Sequence, residues 1–460
     1  MVTLTICSVI VLCSHHITVD RTRDNEMTRK EELMQKIASG EARIGVVGLG
    51  YVGLPLAVAF AEKGYHVTGV DVAPDKVAAI NAGKSYVEDV PDEELAPLVE
   101  AGLIIASSDY ADLAGVDAIS ICVPTPLRKT KDPDISYIID AADKIAAHNG
   151  HGKLIILEST TYPGTTDEVI LPRLGGNGDV VGEDFFLAFS PERVDPGNKE
   201  YRMANTPKVI GGATANCLEV ALALYGQITQ PVPVSSTRAA EMVKLLENTF
   251  RAVNIGLVNE IAIICDKLDL VVWEVVNAAK TKPYGFMPFY PGPGLGGHCI
   301  PIDPHYLSWK LRSLNYTARF IELADDVNRH MPDYVVGKVA EALNSERKAL
   351  NGSEVLVLGV AYKPNVGDVR ESPALDVIHL LANQGAVVSY HDPYVTSLEK
   401  EGIALRSVEL DENVAAEADC VVVVTHHDSY DWAAIVEQAQ LIVDMRNALA
   451  GLESEKIFRL

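Results

Sequence analysis

Cys299 lies in a segment rich in glycine and proline, residues 290–304 (YPGPGLGGHCIPIDP). Glycine lets backbone N–H groups come close to a ligand, and proline stiffens a loop so that it holds one geometry. A free cysteine is commonly buried and inert. Three others in this chain lie within or beside apolar runs and fit that description: Cys122, Cys265 and Cys420. Cys299 instead stands among glycines, His298 and Asp303, so we treat it as a candidate nucleophile.

A glycine triplet indicates a second chemistry. Gly48, Gly50 and Gly53 stand between an apolar run, RIGVVG, and a helical pattern, LPLAVAFAEKG. In a dinucleotide-binding turn the first glycine makes the tight turn, the second admits a pyrophosphate and the third allows close helix packing. Asp71 ends the next apolar run, where an acidic side chain accepts hydrogen bonds from a ribose. With a carboxylate there and no arginine directly after it, the pattern favours NAD over NADP. The alternative is a structural turn.

A thiolate and NAD together suggest the oxidation of an aldehyde, in which the thiolate adds to the carbonyl, hydride leaves for NAD and a thioester results. Such chemistry also needs a base, an oxyanion stabiliser and a group that activates water. Lys244 and Asn248, four residues apart in a helical pattern, share a face. Glu192 and Thr160 follow apolar runs, in SPER and EST. Each signal alone is weakly specific, the alternatives being a solvated helix face and ordinary strand ends.

The order of patterns predicts the fold. Short apolar runs alternate with helical patterns from Arg43 and again from Glu354, and a long helical stretch lies between these blocks. Alternation of this kind is typical of parallel sheets covered on both faces. We therefore expect an α/β fold of two Rossmann-like, doubly wound domains joined by a helical central dimerisation region. The expected boundaries are 1–40 for a poorly defined leader, 41–233 for the NAD domain, 234–347 for the helical domain with the cysteine loop, and 348–460 for the second Rossmann-like domain.

Composition restricts the partners. The net charge of -24 disfavours binding to nucleic acid or to an anionic membrane surface. The opening apolar run, MVTLTICSVIVLC, is too short to span a bilayer, which takes about 20 residues. Seven scattered cysteines without a CxxC pair argue against disulfides and a metal site, and for a reducing, cytoplasmic location.

The helical middle has a larger apolar face than two α/β domains would cover. A second copy of the chain is the expected partner, which predicts a homodimer built on the long central helix.

Seven motifs, in one order from about Arg43 to Leu460, resemble the UDP-glucose/GDP-mannose dehydrogenase family of nucleotide-sugar dehydrogenases: RIGVVGLGYVGLPLA, VPTP, EST, SPER, EMVKLLENT, GGHCIPID and AYKPNVGDVRESPA. Enzymes of that family oxidise the sugar C6 alcohol to a carboxylate in two NAD-dependent steps, through an enzyme-bound aldehyde and a thioester. The resemblance implies NAD as cofactor and a UDP-sugar as substrate, bound in part by the C-terminal domain.

The resemblance also implies a role for each matching residue. Cys299 matches the nucleophile and Asp303 its associated acid. Lys244 and Asn248 match the pair that binds substrate and stabilises the oxyanion. Glu192 matches the carboxylate that serves thioester hydrolysis, and Thr160 matches a residue that orders water.

Further positions match the two ligands. The cofactor would contact Gly48, Gly50, Tyr51, Val52, Gly53, Asp71, Lys76, Thr125, Thr160 and Arg370. The nucleotide sugar would contact Glu192, Arg193, Lys244, Asn248, Phe289, Tyr290, Gly292, Gly296 and Lys363. Whether Arg446 reaches the substrate or caps a strand end is left open by the sequence.

Two departures bear on the substrate. Pro191 and Glu192 are followed by RVDP, so a second glutamate common in the UDP-glucose branch is missing, and Ile302 stands where that branch has lysine. Both resemble the branch that oxidises UDP-N-acetylhexosamines, particularly UDP-N-acetylglucosamine, in the synthesis of surface polysaccharide precursors. UDP-glucose, UDP-N-acetylmannosamine and UDP-N-acetylgalactosamine are the alternatives. A two-electron hydroxyacid dehydrogenase and a non-catalytic nucleotide-binding protein are remoter ones.

Overall fold

The structure is a computed structural model that describes residues 27–128, 132–148, 152–176, 178–193, 198, 200–411 and 413–460. The first 26 residues of the expected leader lie outside the described residues, as do residues 194–197, which include the VDP that follows Arg193.

Thirteen strands are described. Those of the first sheet are β1 (Ile44–Val47), β2 (Val67–Val70), β3 (Ile104–Ser107), β4 (Ala118–Ile121), β5 (Leu154–Leu157), β6 (Phe186–Phe189), β7 (Lys208–Gly212) and β8 (Pro231–Val234). Those of the second sheet are β9 (Glu354–Leu358), β10 (Val387–His391), β11 (Cys420–Val423), β12 (Ile442–Asp444) and β13 (Ile457–Arg459).

Fourteen α-helices accompany the strands within the described residues. The first seven are α1 (Arg29–Ser39), α2 (Gly53–Ala61), α3 (Pro74–Asn81), α4 (Asp92–Glu100), α5 (Ser136–Ala147), α6 (Leu171–Leu174) and α7 (Ala215–Tyr225). The others are α8 (Thr237–Lys267), α9 (Val272–Lys280), α10 (Asp303–Arg312), α11 (Arg319–Ser345), α12 (Pro373–Asn383), α13 (Val414–Glu417) and α14 (Trp432–Gln438). Among all the residues that the structure describes, no helix is both long and apolar enough to cross a membrane.

The prediction of two Rossmann-like domains around a helical centre is confirmed. The first sheet has the order β3-β2-β1-β4-β5-β6-β7-β8 and the second the order β10-β9-β11-β12-β13. All neighbouring strands are parallel except β6 and β7. Strands β1, β4, β5, β6 and β11 are buried throughout, as continuous apolar runs in a sheet covered on both faces should be.

Two features of the first sheet were not anticipated. β7 runs antiparallel to β6 because the residues described between them form no crossover helix, which a parallel connection requires. β8 carries Pro231 and Pro233, residues that argue against a strand; it is tolerated because it lies at the edge of the sheet.

The N-terminal region departs from the expectation of a poorly defined leader over 1–40, which is wrong for its last twelve residues. A capping box begins α1: the Thr28 hydroxyl accepts from the N–H of Glu31, and the Glu31 carboxylate accepts from the N–H of Thr28 at 2.8 Å. Leu33 and Ile37, one turn apart, are buried in the core of the first domain. Two apolar residues on one face are enough to dock an otherwise polar helix.

The central region is organised by α8, which spans 31 residues and begins at a Ser236 side chain that accepts from the N–H of Ala239. α8 packs along α11, and the two backbones come close at Gly256, where a Cβ would lie 3.2 Å from Ala324. One helix therefore runs from the first sheet to the core of the second domain.

The turn between β1 and α2 yields a stability test. At Gly53 a Cβ would lie 1.8 Å from the Gly48 carbonyl oxygen, a backbone atom that cannot move aside; at Gly50 it would meet nothing within 4 Å. We expect Gly53→Ala to lower the free energy of unfolding by about 2 kcal/mol or more, and Gly50→Ala by less than about 1 kcal/mol. Urea unfolding measures both, and equal losses would contradict the assignment of Gly53 to the packing role.

Candidate active site

The glycine-rich loop reaches Cys299, one turn before α10. The Cys299 carbonyl accepts from the N–H groups of Asp303 at 2.8 Å and Ile302 at 3.1 Å, so the cysteine starts the turn that leads into that helix. Gly297, with a φ of +97°, donates its N–H to the Arg370 carbonyl at 3.2 Å. The loop is thus held between the central helices and the C-terminal domain, and the Cys299 side chain is half-buried.

α8 brings the predicted polar pair to this loop. The Lys244 ammonium donates to the backbone carbonyl of Glu192 at 2.7 Å, and the Asn248 amide donates to the Asp303 carboxylate. All four side chains are buried. Lys244 and Asn248 thus lie on one face of α8, and two segments far apart in sequence, those of Glu192 and Asp303, meet there.

Burial sets the protonation of this group. Burial raises the pKa of the Asp303 carboxyl to about 6, against the opposing effects of Lys244 and of the Asn248 hydrogen bond. Burial likewise raises the pKa of the Cys299 thiol to about 11; Asp303 adds to the rise, while Lys244 and Arg370 oppose it. At neutral pH the thiol is therefore protonated and the carboxyl ionised, so attack by sulfur needs a proton acceptor.

Glu192 is joined to a buried ion cluster that the sequence analysis missed. Lys208, the first residue of β7, places its ammonium 3.4 Å from the Glu192 carboxylate and 2.6 Å from that of Glu158, just after β5. The available signal was charge at the ends of strands that are otherwise apolar, in LIILE and PKVIGG. A charged residue at such a place is buried with a partner or lines a site.

The remaining predicted residues near Glu192 are placed as follows. Arg193 donates its backbone N–H to the Glu192 carboxylate at 2.7 Å, while its guanidinium pairs with Glu247 at 2.7 Å. Thr160 follows β5 and is half-buried. The preceding Ser159 hydroxyl donates to the carbonyls of Ile121, the last residue of β4, and of Val123 just beyond it, which ties this segment to the neighbouring strand.

The turn after β1 has the shape that a dinucleotide requires. The Asp71 carboxylate accepts from the N–H groups of Leu49 at 2.8 Å and Ala73 at 3.0 Å, and Lys76 lies 3.8 Å from it. These bonds hold the turn while Gly50 faces open space. Since the start of α2 presents free N–H groups to that space, the turn fits the pyrophosphate of NAD.

Two other predicted cofactor residues, Arg370 and Thr125, make contacts at the edge of the NAD domain. The Arg370 guanidinium lies 5.5 Å from the ring centroid of Tyr51, which is exposed at the glycine turn. The Thr125 carbonyl accepts from the Tyr306 hydroxyl of α10 at 2.6 Å. The C-terminal domain and α10 thus both touch the edge of the NAD domain.

The predicted substrate loop is fixed by aromatic and amide contacts. Phe289 packs edge-on against Phe250 of α8, with ring centroids 5.6 Å apart, and Tyr290 stacks on Trp273 of α9 at 5.8 Å. The N–H of Gly292 donates to the buried Asn259 side chain at 3.0 Å.

The C-terminal domain reaches this loop from the other side. At Gly292 a Cβ would lie 2.5 Å from the Arg446 guanidinium, and at Gly296 it would lie 2.9 Å from Tyr362, the neighbour of Lys363. Arg446, whose role the sequence left open, therefore lies directly against the loop, and Gly296 is required by the close approach of the segment that contains Tyr362.

Comparison with known proteins followed the same three divisions. Residues 42–229 match the NAD binding domain of the UDP-glucose/GDP-mannose dehydrogenase family, 238–330 its central domain and 356–451 its UDP binding domain. The chain is 37% identical to the UDP-N-acetyl-D-glucosamine 6-dehydrogenase of Pseudomonas aeruginosa over 360 residues, 78% of this chain and 84% of that protein.

Other relatives differ in the sugar that their names give. The UDP-N-acetyl-D-mannosamine dehydrogenase of Escherichia coli K12 is 36% identical over 85% of this chain and 94% of its own length. The structure of a UDP-D-ManNAc dehydrogenase from Pyrococcus horikoshii superposes with a TM-score of 0.83 at 35% identity, covering 91% of this chain and 98% of that one. The chain belongs to the UDP-glucose/GDP-mannose dehydrogenase family of NAD-dependent nucleotide-sugar dehydrogenases.

Proposed function

We propose that this chain oxidises the C6 alcohol of a UDP-sugar to the uronate in two NAD-dependent steps, through a thioester on Cys299. The observation that supports it most is the meeting of Cys299, Asp303, Lys244, Asn248 and Glu192 on one face of α8. This combines a nucleophile, a proton acceptor, oxyanion donors and a carboxylate for water within one buried group.

The chain's own residues prepare the aldehyde for attack. Asp303, ionised at neutral pH, takes the proton of the Cys299 thiol, and sulfur adds to C6. Lys244 and Asn248 each retain N–H donors beyond the bonds they already make, and these stabilise the developing oxyanion. When bound by the Gly48–Gly53 turn, Asp71 and Arg370, NAD would accept a hydride in each oxidation, and the proton that the C6 hydroxyl loses in the first oxidation leaves to water.

Hydrolysis of the thioester restores the enzyme. Glu192 takes a proton from water, the water oxygen bonds to C6, and the carbon–sulfur bond breaks with its electron pair going to sulfur. Asp303 then returns to that sulfur the proton it took during the attack, and Glu192 loses its proton to solvent. Thr160, placed at the end of β5 beside the strand that carries Glu192, orders this water. Arg193 and Lys363 hold the nucleotide sugar, together with the Phe289–Gly296 loop.

Within this class we propose UDP-N-acetyl-D-glucosamine as the substrate, in the synthesis of surface polysaccharide precursors in the cytoplasm. Ile302 in place of a lysine supports an N-acetylated sugar, as does the similarity to enzymes named for UDP-N-acetylglucosamine and UDP-N-acetylmannosamine. The scattered free cysteines support a reducing compartment.

A panel of UDP-sugars tests both parts of the proposal: UDP-N-acetylglucosamine, UDP-N-acetylmannosamine, UDP-N-acetylgalactosamine and UDP-glucose. We expect the highest kcat/KM for the first, with about two NADH formed per sugar because a uronate requires four electrons. Cys299→Ser should stop turnover before the thioester while NAD affinity stays near that of the wild type. One NADH per sugar, or four-electron turnover by the serine variant, would overturn the mechanism.

The pH dependence of thioester formation tests Asp303. Its pKa is raised to about 6, so the ionised fraction that can accept the thiol proton falls as the pH drops below that value. We expect the rate of adduct formation on Cys299, followed by quenched-flow mass spectrometry, to fall about tenfold per pH unit there. Asp303→Asn should abolish this fall in rate at acid pH, which is the acid limb of the pH profile, and should lower the rate at every pH. If the acid limb is unchanged in Asp303→Asn, the proton acceptor is a residue other than Asp303.

We also propose that the chain forms a homodimer through α8. One side of that helix presents a row of apolar side chains that are 36% to 59% exposed: Met242, Leu246, Phe250, Leu257 and Ile264. A contiguous apolar row of this length on a long helix is typical of a subunit interface.

Light scattering coupled to gel filtration tests the dimer. We expect the wild type to have twice the mass of one chain, and Leu246→Glu to shift it toward the monomer because a charge would be buried in the interface. Val387→Glu is the matched control, since Val387 is 60% exposed on β10 of the C-terminal domain. A wild-type monomer, or an equal shift in both variants, would refute the α8 interface.

A further inference from the structure

Three ionisable side chains meet beside the site, and the Lys208 ammonium contacts two carboxylates. Burial raises the pKa of the Glu158 carboxyl, and Lys208 opposes that rise. The Lys208 ammonium lies 2.6 Å from Glu158 and 3.4 Å from Glu192, and it also donates to the Pro191 carbonyl at 3.4 Å. The side chains of Lys208, Glu158 and Glu192 are 4%, 0% and 10% exposed. The lysine is therefore closer to the carboxylate that has no part in the proposed reaction.

Glu158 is fixed from its other side. The Tyr225 hydroxyl donates to its second oxygen and lies 3.3 Å from the Ser120 hydroxyl. The Lys208 ammonium lies 5.5 Å from the Tyr225 ring centroid. These residues stand on β4, the end of β5, β7 and α7, so the packed sheet holds the geometry. Tyrosine brings no positive charge, and with both carboxylates ionised the trio carries one net negative charge.

Other titratable groups face Glu192 from the elements around it: Arg193, Lys244, Cys299 and Cys122. The Arg193 guanidinium is directed at Glu247, and Lys244 donates to the Glu192 backbone rather than to its carboxylate. Burial raises the pKa of both thiols, so they are neutral at neutral pH. Lys208 is thus a cation in direct contact with the Glu192 carboxylate, and its charge favours the ionised form of that carboxylate.

We propose that Lys208 and Glu158 are positioning residues that set the charge and aim of Glu192 for hydrolysis of the thioester; this rests on the proposed function, in which Glu192 activates water. Lys208 holds the carboxylate and the Pro191 carbonyl beside it, and so fixes the direction of Glu192. Glu158 attracts most of the lysine's charge, so that Glu192 is ionised without being so strongly paired that it loses its basicity.

The pH dependence of the decay of the covalent adduct tests this role, because the two variants should shift it in opposite directions. Glu158→Gln leaves Lys208 to pair with Glu192 alone and removes a neighbouring negative charge, both of which favour the ionised carboxylate. The acid limb of adduct decay should move to lower pH by about one unit. Lys208→Gln removes the cation and leaves Glu158, which favours the protonated carboxyl, so the limb should move to higher pH by a similar amount. A residue needed only for folding would not produce opposite shifts.

The measurement is quenched-flow with intact-mass detection of the thioester on Cys299, across the pH range in which each variant is folded. Lys153→Gln is the matched control: Lys153 is equally buried, at 4% exposure, but lies at the other end of β5 and donates to the carbonyls of Leu113 and Ala114. It should leave the limb unmoved. The double variant Glu158→Gln/Lys208→Gln, which removes both charges, should fall between the two single variants.

The outcomes separate the two proposals. If no adduct forms on Cys299, or if Glu192→Gln leaves its decay unchanged, the proposed function fails. If Glu192→Gln slows decay but the two single variants shift the limb in one direction, or not at all, only the positioning role is refuted. If Lys208→Gln does not fold, a downward shift in Glu158→Gln that is reduced in the double variant supports the inference, and any other pattern rejects it.

Discussion

Every buried polar side chain on α8 has to find a partner on another segment, and that requirement holds the site together. Thr237 at the start of the helix donates to Asp167, and four more such residues follow along its inner face: Glu241, Lys244, Asn248 and Asn259. Their partners are, in order, the loop after β5, the end of β6, the start of α10 and the glycine-rich loop. A buried polar group left unpaired costs about 1–3 kcal/mol. The helix therefore determines the relative positions of four segments that are far apart in sequence. The geometry of the candidate site follows from the hydrogen bonds that these buried side chains require.

The two Rossmann-like domains use the same acidic position differently. Asp71 and Asp392 each end the second strand of their unit and accept from N–H groups in the turn after the first strand. Asp392 is fully enclosed: it also bonds the buried His427 at 3.0 Å and two further backbone N–H groups. His427 in turn accepts from the N–H of Asn365, beside Lys363. In the second domain the acidic residue at this position thus supports the loop that carries Lys363.

How far the sequence predicts the site depends on the range of the interaction. The glycine triplet, Asp71 and the Lys244–Asn248 spacing are local patterns, and the structure places these residues together as those patterns indicate. The pairing of Glu158 with Lys208 links residues 50 positions apart, and no local period reveals it. α1 was missed because its two buried residues are isolated in a polar run, and β8 because proline hides an edge strand. Local chemistry is readable from the chain, whereas polar partners across a sheet are not.

Arg370 touches the cofactor turn through an exposed ring contact, while its own backbone carbonyl holds the cysteine loop. A contact of that kind between a guanidinium and an exposed ring contributes only about 0.5–1 kcal/mol, whereas the bonds of Lys244 and Asn248 are buried. Under the proposed function, a four-electron oxidation at one dinucleotide turn requires a spent cofactor to leave and a fresh one to bind between the two oxidations. Under that function, the weak contact on the cofactor side would allow one NADH to be exchanged for NAD, while the buried hydrogen bonds of Lys244 and Asn248 keep the half-oxidised sugar bound.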